Sequence, residues 1–124
     1  MSDVFNDSGV TVTMSDFQWS GGTWTSGGYT RVETANLSGG SGNDMQVNNI
    51  TLNFDFGRPV ENLRFFYGEY GGNINLSING DLRNQLNFDA LHNKIVGGTL
   101  VEVFTMGGAF GVVQITGVVN SFSV

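Results

Sequence analysis

Along almost the whole chain apolar side chains recur at every second position, and no stretch carries the three-to-four spacing of a long helix. A period of two belongs to a strand, whose successive side chains point to opposite faces. Val10, Val12 and Met14 alternate with Thr11 and Thr13, and Ile50, Leu52, Phe54 and Phe56 alternate with Thr51, Asn53 and Asp55. Residues 100–106 and 112–124 continue the pattern. In the last of these the apolar parity passes from Val113 and Ile115 to Val118, Phe122 and Val124, which predicts a bulge at Gly117. Gly57, Arg58 and Pro59 close a strand, because Pro cannot donate to a central ladder. The chain is therefore expected to be all-β, with about eight or nine short antiparallel strands forming a jelly-roll-like β-sandwich or, alternatively, a closed antiparallel β-barrel.

The 124 residues suit one domain, residues 1–124, large enough to bury a core without disulfides. Nineteen Gly against one Pro, with 12% aromatic residues, describe a folded, turn-rich chain. Eleven acids against five bases leave a net charge of −6, which repels a phosphate backbone, so neither nucleic acid nor an anionic membrane is an expected partner. No apolar run is long enough to span a membrane. The absence of Cys excludes a thiolate nucleophile and a Cys-ligated zinc. Residues 1–6 have no basic region followed by an apolar one and do not read as a signal peptide, whereas Gly, Asn, Ser and Thr richness with a single Lys favours a secreted or cell-surface setting.

Residues 65–84, FFYGEYGGNINLSINGDLRN, hold the densest polar alternation. The stretch from Leu63 to Tyr67 is apolar on both faces and reads as a central strand covered on both sides. In the following hairpin, a two-residue Asn79-Gly80 turn would set Ile78 beside Asp81 and Leu76 beside Arg83, mixing charge with apolar chains. A three-residue loop instead pairs Ile78 with Leu82 and leaves a polar face of Asn73, Asn75, Gln85 and Asn87 with Arg83. Such an amide ladder offers donors and acceptors at the facing Cβ spacing of about 5 Å, which suits sugar hydroxyls. A single helical turn is expected near residues 90–93.

Trp24 and Tyr29, in a Gly-rich region, and Tyr70 are candidate stacking rings for a flat ligand, while Trp19 continues the parity of Phe17 into the core. Glu69 stands between Gly68 and Tyr70, where Tyr67 and Tyr70 could raise its pKa by desolvation or hold it by hydrogen bonds, and where a solvated strand end explains it equally well. Glu102 shares a face with Leu100, Phe104 and Met106, so its carboxylate is expected either to be paired or to line a cavity. His92 reads as a surface residue. No cofactor is expected, and no metal ligand set is recognised; residues 41–44 (SGND) could offer oxygens to calcium, but a turn explains them equally.

Residues 53–80, NFDFGRPVENLRFFYGEYGGNINLSING, resemble bacterial jelly-roll β-sandwich modules of the carbohydrate-binding-module type. The resemblance implies a glycan ligand and a structural calcium held by acids of the last strand. Here that strand, NSFSV at residues 120–124, has no acid.

Three functions follow as expectations. The first is a non-catalytic module binding a glycan or other small molecule through Trp24, Tyr29 and the amide ladder. The second is a small β-barrel enzyme, an acid-base isomerase, cyclase or hydrolase, with Glu69, Glu102 or Asp55 as acid or base and Arg31 or Arg64 polarising the substrate. The third is a self-associating surface module, a homo-oligomer built through exposed edges such as residues 112–124.

Overall fold

The computed structural model describes residues 3–7, 9–34, 43–69, 73–106 and 109–124. These form fourteen strands and one 3-10 helix: β1 Asp3–Asp7, β2 Val10–Ser15, β3 Phe17–Gln18, β4 Trp24–Thr25, β5 Tyr29–Glu33, β6 Asp44–Asn48, β7 Thr51–Asp55, β8 Val60–Gly68, β9 Ile74–Ile78, β10 Asp81–Gln85, the helix Phe88–Leu91, β11 Lys94–Val96, β12 Thr99–Thr105, β13 Phe110–Val119 and β14 Phe122–Ser123. The strands beyond the expected eight or nine are mostly short ones, such as β3, β4, β11 and β14, with too few residues to show alternation.

A six-stranded sheet in the order β1-β2-β7-β14-β9-β10 packs on a four-stranded sheet in the order β11-β12-β13-β8, and neither closes into a barrel. The fold is a β-sandwich. Leu76, Ile78 and Phe122 from the first sheet meet Val101, Val103, Val113 and Ile115 from the second, with Phe88 and Leu91 of the helix filling one end. Phe65 and Phe122 join the sheets with ring centroids 5.6 Å apart. Full burial of each such aliphatic side chain contributes about 1.5 to 3 kcal/mol, so the alternation read from sequence is also the main source of stability.

The bulge at Gly117 is present, with φ +127° and a shifted register between Ile115 and Val118. After it Val119, not Val118, turns into the core. The chain then crosses at Asn120 and Ser121 from the second sheet to the first, where β14 inserts between β7 and β9. Two further expectations are corrected. Residues 112–119 lie in β13, paired on both sides by β12 and β8, so they offer no free edge. Conversely β8, read as a central strand covered on both faces, is an edge strand and leaves Phe66 exposed.

The β9–β10 register is the other one. Asn79 and Gly80 adopt φ of +53° and +82°, the paired positive values of a two-residue hairpin turn, and Ile78 pairs with Asp81 and Leu76 with Arg83. The mixed face is tolerated because β10 is the sheet edge. There Arg83 Nε and Nη2 donate to Asp81 at 2.9 and 3.1 Å, Gly97 N–H donates to Asp81 at 3.0 Å, and Arg83 Nη2 donates to Ile95 O at 3.0 Å. Inward-pointing charges that find partners at the rim protect an edge from further pairing.

Candidate functional site

The corrected register redistributes the polar residues. Arg83 and Gln85 fall on the face of Leu76 and Ile74, and Asn87 leaves the sheet to cap the 3-10 helix, its Oδ1 accepting from Ala90 N–H at 3.1 Å. Asn84 replaces them beside Asn75. The expected ladder therefore breaks up, but a broader polar face exists on the outside of the six-stranded sheet. Cross-strand partners Thr13, Asn53, Ser123, Ser77 and Leu82 form one row running through β2, β7, β14, β9 and β10. Strands about 4.8 Å apart carry such a row over about 19 Å, the length of a short oligosaccharide.

Thr13, Asn53, Ser77 and Ser123 are half-buried. Asn53 Nδ2 donates to Ser15 Oγ at 3.0 Å, which fixes its amide, while among the described residues the hydroxyls of Thr13, Ser77 and Ser123 take no intramolecular partner. The five positions from Thr13 to Leu82 carry no charge, and the row continues onto the edge strand β1, where the acidic residue Asp3 stands opposite Thr13.

One end of the shelf is walled by the β3–β4 hairpin. Its turn closes through Gly22 N–H to Trp19 O and Trp19 N–H to Thr23 O, both 2.8 Å. Asn84 Nδ2 donates to Gln18 O at 2.6 Å, Ser20 N–H donates to Asn73 Oδ1 at 3.1 Å, and the Asn75 carboxamide lies 2.7 and 2.9 Å from Gln18 N and O. Asn73 and Asn75 thus anchor the wall rather than face solvent. Phe17 is buried, and Trp19 stands edge-on to it at 5.1 Å but is only half-buried and lies outside the core in which its parity with Phe17 placed it. Trp24 pairs with Gln18 on the other side and remains 55% exposed.

Beside the wall, Ser15, Asp16, Thr25, Ser26, Gly27, Gly28 and Asn49 line an open cleft of about 110 Å³ with Met14 and Ile50. Gly28 is required there, because a Cβ would run into the Asn49 carbonyl oxygen. Tyr29 follows on β5, half exposed, with the Arg31 guanidinium 5.7 Å from its ring centre. Tyr70 and Ser41 lie outside the described residues; Asp44 opens β6.

The residues expected of an enzyme are dispersed. Glu102 sits on the outer face of the four-stranded sheet with Leu100 and Phe104, in the row Glu102–Gln114–Arg64. Glu69 lies at the inner end of β8, where its Oε2 accepts from Phe88 N–H at 3.3 Å. Burial raises its carboxyl pKa, opposed by that N–H and reinforced by Asp89. The neighbouring Tyr67 hydroxyl is buried with no partner at hydrogen-bonding geometry; burial first, then the charges of Asp89 and Glu69, push its pKa up to about 12. Asp55 accepts from Gly57 N–H in a turn, and Arg31 belongs to the β5–β6 ribbon. His92 Nδ1 accepts from Val103 N–H at 2.9 Å, tying the helix exit to β12. Among the described residues no group of three His, Cys, Asp or Glu side chains converges as a metal site would require.

Comparison with family models, with curated proteins and with solved structures finds no match to this chain.

Proposed function

We propose that the protein is a non-catalytic binding module whose ligand is neutral and rich in hydroxyl groups, a carbohydrate chain being the class that fits. The observation that carries this reading is the row of Thr13, Asn53, Ser123 and Ser77, half-buried on the outside of the six-stranded sheet, with three hydroxyls that have no intramolecular partner among the described residues. Hydroxyls that each donate and accept suit a ligand that does the same, and the uncharged positions from Thr13 to Leu82 cost no ion desolvation when covered. Trp24, on the solvent side of the bordering wall, adds a ring on which the apolar face of a sugar can stack.

The test is a glycan array probed with the wild-type protein and with Ser77→Ala and Trp24→Ala, once with calcium and once with chelator. Reproducible binding that falls by about three- to tenfold in each variant, with unchanged unfolding midpoints, supports the reading. Binding that is insensitive to both substitutions rejects this site.

A further inference from the structure

The outside of the four-stranded sheet is unlike the outside of the other. Register places Phe104, Val112 and Phe66 in one row across β12, β13 and β8, and Glu102, Gln114 and Arg64 in the row beside it. Phe104 and Phe66 remain 46% and 45% exposed, whereas Val112 between them is only 5% exposed. Arg64 lies over Phe66, its guanidinium carbon 5.7 Å from the ring centre. Among the described residues neither Glu102 nor Arg64 has an ion-pair partner in its own chain. A half-buried carboxylate and an exposed guanidinium two strands apart, next to an apolar row, are charges arranged for something outside the chain.

We propose that this face is the contact between two copies of the protein, packed sheet on sheet about a two-fold axis that runs along β13. Rotation about that axis exchanges β12 with β8 while keeping each row in line. Glu102 of one copy then lies over Arg64 of its partner, and Phe104 over Phe66, twice each by symmetry. The charge order is thus self-complementary in the same operation that closes the apolar row, as an isologous interface demands. Two sheets stacked at about 10 Å with a small twist allow this approach. The three strands that overlap under this rotation, β12, β13 and β8, with about six residues of length give a face of about 15 by 20 Å. That is small against the roughly 800 Å² per partner of a standard interface, so the dimer is weak and concentration-dependent. The glycan shelf lies on the opposite sheet and stays free in the pair.

Sedimentation equilibrium from about 10 μM to about 1 mM tests this, in the range where an interface of this size associates. The wild type is expected to shift from monomer to dimer. Glu102→Arg and Arg64→Glu each place like charges in contact and should weaken association at least about tenfold, and the double reversal should restore it. Phe104→Thr, which removes the apolar row without touching charge, should also abolish the dimer. A wild type that stays monomeric throughout, a dimer that ignores the single reversals, or single losses that the double reversal does not rescue would each overturn the proposal.

Discussion

Replacing Asn79 by Gly should remove a junction between three segments while keeping the turn that carries it. The Asn79 amide donates to Gly97 O at 2.8 Å and to Val118 O at 2.9 Å, and its Oδ1 accepts from Asn120 N–H at 2.6 Å and Ser121 N–H at 3.3 Å. These bonds tie the β9–β10 turn to the β11–β12 turn and to the crossing by which the chain passes between sheets. At a net value near 1 kcal/mol for each of the three short bonds, Asn79→Gly should cost about 3 kcal/mol, a large share of a small domain's stability. Gly accepts the observed φ of +53°, so backbone strain does not enter. Asn79→Ala loses the same bonds and also forces a Cβ into the left-handed region, for about 1 kcal/mol more. Equilibrium urea unfolding of the three proteins measures both steps. A Gly variant within about 0.5 kcal/mol of wild type would refute the claim that the amide holds the crossing.

Asp81 is held down to about 2 by Arg83 and by the Gly97 N–H. Its folded value lies below the ordinary carboxylate value, so its contribution is complete above about pH 4 and is lost as pH falls toward 2; Asp81→Asn should flatten the thermal midpoint across that window. Glu69 has the opposite sign. Its raised carboxyl favours the fold below the ordinary value and loses that contribution as pH rises through the folded value, so Glu69→Gln should melt higher than wild type at pH 7. Gly28→Ala drives a Cβ into Asn49 O and should cost at least about 2 kcal/mol by thermal or urea unfolding; a neutral outcome would show that the cleft rim is plastic.

What could be read from sequence follows what alternation encodes. Ile50, Leu52, Phe54 and Phe56 announce a strand because the period belongs to the backbone, and the Gly117 bulge shows as a break in parity. Alternation does not say which face looks inward when both are apolar: Val101 and Val103 enter the core while Leu100 and Phe104, no less apolar, stand outside. The Asn79-Gly80 register was illegible for a similar reason. Asp81 and Arg83 neutralise each other two residues apart on β10, and the backbone groups that complete their hydrogen bonding, Gly97 N–H and Ile95 O, lie on a different strand and its turn. The polar face was foreseeable in kind, since Asn and Ser dominate residues 73–79, but not in membership, because Asn53 and Ser77 join one row only through Ser123 of β14, which inserts between their strands.

The most direct measurement is a ¹H–¹⁵N correlation spectrum of the labelled protein titrated with neutral trisaccharides. The Asn53 side-chain amide and the backbone amides of Thr13, Ser77 and Ser123 should shift together, with the Trp24 indole following and Phe66 and Phe104 unmoved. Shifts confined to the four-stranded sheet, or none with any sugar at millimolar concentration, would contradict a carbohydrate-binding shelf on the six-stranded sheet.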